Sequence, residues 1–404
     1  MEPRARVRAA LEHREPDRVP RDLGAVRMTG IHVRAYGGLR RALGLAGREV
    51  RVGDLSQQLA IVEEDVAGAL GLDVRGVEPR GPSGYRREML DDGEHRAYLD
   101  EWGVRRRMPK DGFFFDPSSA PLGGEIDAGH LARFAWPDGG DPARRAGVAE
   151  EARRVIAEEG RAVYLGSVCA GLTEMLFRLR GFEDGYMDLA ADPALARALM
   201  ERVLEVKLAW WGAILPELGD AVDVVGEADD LGGQTTPLFA PQTYRALVKP
   251  LHAELISFIR ARTRAKVLFH SCGAIRDLLP DLVEIGVDVL NPVQVSAAGM
   301  QTEALKRDFG RDLVFWGGGV DTQGVLGSGT PDDVRAEVRR RVADLAPGGG
   351  FVFASVHNIQ ANVPAENVVA MWEAVAAAGA YRGGTDAAGA DAAGAEAVEA
   401  GAAS

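Results

Sequence analysis

The 404-residue sequence contains only two cysteines, Cys169 and Cys272. Two thiols about a hundred residues apart make no disulfide framework, which excludes a disulfide-stapled secreted scaffold. Positive charge is also short: 47 Lys and Arg face 60 Asp and Glu, a net charge of −13. Nucleic acid and anionic membrane surfaces reward a basic face, so neither is the expected partner. No apolar run approaches the ~18 residues that a membrane-spanning helix needs. The opening stretch MEPRARVRAALEHREPDRVP lacks the apolar segment and small-residue cleavage site of a secretory signal. A reducing cytoplasm is the expected setting, with both cysteines as thiols, either buried or binding metal. No internal repeat of roughly 20–50 residues is evident.

What remains is an ordinary globular composition, 46% apolar and 26% charged. At roughly 150 residues per domain the length suggests two or three domains, yet α/β barrels with insertions reach about 400 residues as one unit. From Ala162 onward, short apolar runs alternate with longer amphipathic segments. The runs are AVYLGS (162–167), VDVVGE (222–227), KVLFH (266–270), VDVLN (287–291), LVFWGG (313–318) and FVFASVH (351–357). Near-continuous apolar character suits parallel strands buried on both faces. Helical spacing fills the intervals, with Pro331 and Pro364 opening the last two helices. Six strands, one near Val19–Leu23 and one near Val74–Val77 predict an α/β fold, a (β/α)8 TIM-like barrel. Residues 81–134 mix polar and apolar residues at short spacing around Asp91-Asp92-Gly93, and predict an antiparallel β insertion. Residues 1–382 are expected to form this single domain. Residues 383–404, rich in Gly and Ala, offer little to bury and are expected to be a disordered tail.

A (β/α)8 barrel works at the C-terminal ends of its strands. His270-Ser271-Cys272 follows one strand there, His357-Asn358-Ile359-Gln360 another, and Glu227-Ala228-Asp229-Asp230 a third. Asn291 with Gln294, and Asp321 after Gly317-Gly318-Gly319, stand at two more. His270 and Cys272 are two apart, so they share a side and can share one Zn2+. The plainer reading makes Cys272 a buried thiol and His270 a hydrogen-bonded core residue. Glu227, Asp229 and Asp230 can serve as acid/base groups, ligands or substrate binders, or else as a solvated acidic loop. Asn291, Gln294, Asp321 and Gln360 are candidate substrate-binding residues. The three glycines suggest a loop whose N–H groups meet a ligand, or a plain turn. Cys169 reads as packing. His13, His32, His95, His130 and His252 read as surface or capping residues, and Trp210-Trp211 as core.

With these residues in view, the sequence resembles the uroporphyrinogen decarboxylase superfamily over nearly its whole length. The resemblance is strongest in FHSCGAIRDLLPDLVEIGVDVLNPVQVSAAGM (269–300), FWGGGVDTQ (315–323) and HNIQANVPAENV (357–368). It implies a (β/α)8 barrel. The decarboxylase branch carries an arginine-rich motif where this chain has DLGAVRMTG (22–30), and of its aspartate and tyrosine only Asp65 is a loose counterpart. The corrinoid-dependent methyltransferase branch carries the H-x-C pair. Its third zinc ligand is usually a cysteine seven residues before a proline; here His357 stands seven residues before Pro364, with Asn367 following.

The resemblance therefore implies a zinc site of His270, Cys272 and His357. Exchanging a thiolate for an imidazole makes that site one unit more positive and a stronger Lewis acid. It further implies transfer of a methyl group between a small substrate and a corrinoid (cobalamin), with Glu227 or Asp229 in proton transfer or orientation. The corrinoid is expected on a partner protein, because no D-x-H-x-x-G pattern is present. The decarboxylase relatives imply a homodimer. The alternatives are a decarboxylase-like lyase acting without metal, or a non-catalytic tetrapyrrole-binding protein.

Overall fold

The computed structural model describes residues 1–45 and 47–381; the tail expected at 383–404 lies outside the described residues. In chain order the strands are β1 (Val52–Asp54), β2 (Leu59–Ala60), β3 (Val74–Val77), β4 (Leu90–Asp92), β5 (His95–Leu99), β6 (Arg105–Pro109), β7 (Asp116–Ser119), β8 (Ala162–Gly166), β9 (Val224–Ala228), β10 (Lys266–His270), β11 (Val289–Asn291), β12 (Val314–Trp316) and β13 (Phe351–Val352). Seven of them form one sheet in the order β13-β12-β11-β10-β9-β8-β3, with every pair parallel. Helices cross between neighbours, as parallel pairing requires.

The eighth strand, expected near Val19–Leu23, is shorter than the sequence suggests. The segment forms only a parallel bridge at Arg21 and Phe353. It still closes the ring. Phe353 N–H donates to Pro20 O (2.8 Å) and Asp22 N–H to Phe353 O (2.9 Å), while Asp73 N–H donates to Arg21 O (2.9 Å) on the other side. Pro20 has no N–H to give to a longer ladder.

Strand alternation divides the core in two. Val74, Ala162, Tyr164, Val224, Leu268, Val289, Val314, Trp316 and Val352 pack with one another inside the barrel. Their neighbours Val163, Leu165, Val225, Val267, Phe269, Leu290, Phe315 and Phe351 pack outward against the helices. This period of two fixes which strand-end side chains enter the barrel and which meet a helix.

Helix ends follow local chemistry. Thr330 and Asp333 form a capping box at the start of Pro331–Leu345, and Pro364 precedes Ala365–Ala378. The expected helix from Pro241 contains a π turn at Tyr244–Val248 before Lys249–Arg260, where Pro250 cannot donate to the ladder. The insertion is a four-stranded antiparallel sheet, β4-β5-β6-β7. Asp92 pairs with His95 across the turn that the Asp-Asp-Gly sequence marks. Tyr98, Met108 and Phe115 pack on its inner side. It joins the β1–β2 hairpin through Phe115 N–H to Ser56 O (2.7 Å), and a hydrogen bond links the Ser56 and Tyr98 hydroxyls (2.7 Å). Hairpin and insertion together cover one side of the barrel mouth. No described helix is long and apolar enough to cross a membrane.

Candidate active site

A cavity of about 520 Å³ opens at the C-terminal ends of the strands. His270, His357, Asp230 and Gln360 reach its wall, along with residues of the insertion and of the β1–β2 hairpin, and Glu227 borders it with its carboxylate turned away to Lys207 and Trp211.

His270 ends β10, and its parity with Leu268 turns it inward. Its Nδ1 donates to Asn291 Oδ1 (2.6 Å), because the Asn291 amide nitrogen is itself donating to Trp316 O (2.9 Å). That chain fixes the tautomer and leaves Nε2 as the free ring atom. Cys272 Sγ lies 3.4 Å from this Nε2. The His357 ring meets the His270 ring edge-on, with centroids 5.5 Å apart. One ligating atom from each of His270, Cys272 and His357 lies within 4.8 Å of the others. A tetrahedral zinc ion holds nitrogen and sulfur ligands about 3.6 Å apart, so the His270–Cys272 edge already has that length. The His357 edge must close further, and the ring is free to do so: its nitrogens have no protein hydrogen bond among the described residues. Burial lowers the His357 pKa to about 4, so its imidazole is neutral at physiological pH. Burial, reinforced by Asp230 and Glu174, pushes the Cys272 thiol well up. A thiolate there needs a positive charge at close range.

The three acids separate by parity. Glu227 lies opposite Phe269 in the sheet register and faces outward with it. Its carboxylate accepts from Lys207 Nζ (2.6 Å) and Trp211 Nε1 (2.5 Å), both on helix Pro193–Leu218, and only 2% of the residue is exposed. Asp229 also points outward. It accepts from Thr173 N–H (2.9 Å), Thr173 Oγ1 (2.6 Å), Glu174 N–H (3.0 Å) and His252 Nε2 (3.0 Å). Burial raises the Asp229 carboxyl, but the His252 ring and the Thr173 donors outweigh it and leave the pKa below the ordinary value. Asp230 turns toward the cluster. Its Oδ1 accepts the Cys272 N–H (2.8 Å) and lies 3.6 Å from His270 Nε2.

Other expectations change with the geometry. His252 is not a surface histidine: it is buried between Asp229 and the Tyr244 hydroxyl. Gly317 and Gly319 do not offer their N–H groups to a ligand. They donate to Val352 O (3.0 Å) and Ala354 O (2.9 Å), and a Cβ on Gly319 would lie 2.3 Å from the Phe353 ring. Asp321 closes its own loop onto Gln323 and Gly324 N–H, away from the cavity lining. Gln294 accepts from Gly273 N–H (2.7 Å) and reaches Gln234, whereas Gln360 lines the cavity. Asp65 pairs with Arg40 (2.9 Å), also outside the lining. Cys169 lines the cavity, its thiol pushed by burial to about 11.

Sequence reading missed Arg27, Glu78, Tyr164 and Lys207. The first three line the cavity away from the motif-bearing strands. Tyr164 alternates with Ala162 on the inner face of β8, so its parity was available as a signal. Lys207 gave none, being a lone lysine in an apolar helix.

The uroporphyrinogen decarboxylase family model matches residues 126–378, more than half of the chain. The chain belongs to the uroporphyrinogen decarboxylase family. Among solved structures, a methyltransferase from Methanosarcina mazei is similar over 93% of this chain and 99% of its own, with 19% identity and a TM-score of 0.63. A β-glycosidase from Thermosphaera aggregans is similar over 78% of this chain and 84% of its own, with 11% identity and a TM-score of 0.39. The comparison with curated proteins gives no match. At 19% identity the methyltransferase shows the family's barrel fold and leaves the chemistry to the residues.

Proposed function

We propose that this family member is a zinc-dependent methyltransferase, moving a methyl group between a small substrate and a corrinoid carried by a partner protein. The observation that carries the reading is the convergence of His270, Cys272 and His357 to within 4.8 Å of one another, with His270 and His357 on the cavity wall. Two imidazoles and one thiol form a donor set suited to zinc with one position left open. His270, Cys272 and His357 would hold the zinc, which would supply Lewis-acidic charge to a heteroatom bonded to the methyl group. Asn291 orients His270, which keeps Nε2 directed at the cluster. Among the three acids, Asp230 alone turns toward the cluster, so it takes the proton-transfer or orienting role. Glu227 and Asp229 become positioning groups that tie β9 to its helices.

The alternative is a decarboxylase-like lyase, which needs free positive charge for a polycarboxylate substrate. Arg27, Arg106 and Arg178 do line the cavity, but each is already paired with a carboxylate of this chain. Elemental mass spectrometry of the purified protein, with Cys272→Ser and His357→Ala, tests the main reading. One zinc per chain, lost in both variants, is expected, together with methyl exchange with methylcobalamin. A wild type that binds no zinc even after reconstitution would overturn it.

A further inference from the structure

The cavity holds more negative charge than positive. Arg27 serves two carboxylates at once, with Nε 3.3 Å from Asp54 and Nη2 3.2 Å from Glu78. Arg178 is matched by Glu174 (3.0 Å), Lys207 by Glu227 (2.6 Å) and Arg106 by Asp100 (3.0 Å). Asp116 and Asp230 line the same cavity, and neither meets a lysine or arginine among the described residues. One carboxylate of the Arg27 group, Asp116 and Asp230 are therefore unneutralised.

A second observation is independent of charge. Tyr164 is 3% exposed and points into the barrel at the cavity floor. Its hydroxyl has no hydrogen-bond partner among the described residues. Burial, and then the Glu78 carboxylate, hold the phenol above its ordinary pKa, so it stays neutral. The ring is buried while the hydroxyl opens onto the cavity, so its hydrogen-bond partner comes from whatever fills that space. Its oxygen can accept as well as donate, and the surrounding negative field favours a donor that carries positive charge.

We propose that the cavity binds a small protonated amine, with the ammonium group on the side of Glu78 and Asp116 and the Tyr164 oxygen accepting one of its N–H bonds. An anionic thiol or carboxylate of the same size meets repulsion instead. The claim that this amine is the methyl donor or acceptor rests on the reading above; the binding preference does not.

Three ligands of one shape and different charge test it: tert-butylammonium, tert-butanol and pivalate. Each is titrated calorimetrically into the wild type and into Cys272→Ser, which removes a proposed metal ligand. Expected is saturable binding of the cation, about tenfold or more tighter than pivalate in both proteins, with tert-butanol between them. Glu78→Gln and Asp116→Asn should each weaken the cation about five- to tenfold and leave tert-butanol unchanged, which also shows that the cavity is intact. Tyr164→Phe should weaken the cation several-fold. No saturable binding of the cation, pivalate binding as tightly, or a preference that survives the Glu78→Gln/Asp116→Asn pair would overturn the proposal. Cation preference without methyl transfer leaves this inference standing and removes the functional reading. Methyl transfer without cation preference does the reverse.

Discussion

The ends of β9 and β10 are neighbours in one register, with Glu227 opposite Phe269 and Ala228 opposite His270, yet they use polar residues in opposite ways. On the β9 side, Glu227 and Asp229 face outward and every carboxylate oxygen has a donor from a helix or a buried histidine. On the β10 side, His270 and Cys272 face inward, and the atoms they turn to each other have no other strong partner among the described residues. Saturated polar groups hold the barrel together. Under-saturated ones, placed where a cavity opens, remain available for a ligand. One residue of parity separates the two behaviours.

The largest expected effect attacks the saturated side. Lys207→Met leaves Glu227 as a buried carboxylate without its cation, which costs about 3–5 kcal/mol of stability. Urea unfolding measures it. Adding Glu227→Gln should recover more than half of the loss, since the pair fails mainly by half-removal. Stoichiometric zinc in the folded single variant would confirm that the two sides act separately.

Next is the inward side. Cys272→Ser should lower zinc affinity by about a hundredfold or more while shifting the unfolding midpoint of the metal-free protein little. A chelator competition gives the first number and urea unfolding the second. A large loss of metal-free stability would mean that Cys272 is packing after all.

A smaller effect tests the link that orients the inward side. Asn291→Ala removes the acceptor of His270 Nδ1–H and should weaken zinc about tenfold. The affinity measured beside Cys272→Ser ranks the two contributions, and equal losses would erase the distinction between ligand and support.

The smallest is a proton-linkage effect at Asp229. Its folded pKa lies below the unfolded value, so its contribution to stability is present above the unfolded pKa and is lost as pH falls through the folded one. Wild-type stability should fall in acid with a slope that Asp229→Asn reduces by at most about 1.4 kcal/mol per pH unit. Unfolding curves below pH 5 would show it, and parallel slopes would argue that Asp229 titrates normally.

Much of this was legible in the sequence. Six apolar runs and the segment near Val74–Val77 mark the seven parallel strands, and the Asp-Asp-Gly turn marks the insertion. His270, Cys272 and His357 were named from strand-end position and family resemblance, and the barrel brings them together. Glu227, Asp229 and Asp230 were grouped because they are close in sequence. Alternation from Val224, Gly226 and Ala228 sets Asp230 apart from the other two, so this signal is present in the sequence. The partners that decide their roles, Lys207, Trp211, Thr173 and His252, lie 16 to 56 residues away on helices whose docking no local pattern reveals. Arg27 and Glu78 are hidden for the same reason: the cavity is assembled by closure, and each comes from a different turn of the barrel, whereas Tyr164 carries a parity signal on β8.

That closure has a consequence for how the chain reaches its shape. The segment at Pro20–Asp22 finds its partner at Phe353, about 330 residues later. At synthesis rates of about 5–20 residues per second, the first stave waits roughly 15–65 s before its neighbour exists. Over that interval β3 is its only strand partner, and the growing sheet has an open edge at its advancing strand. Sealing the ring is a long-range event with a high loop-closure cost, so it belongs among the last steps of folding.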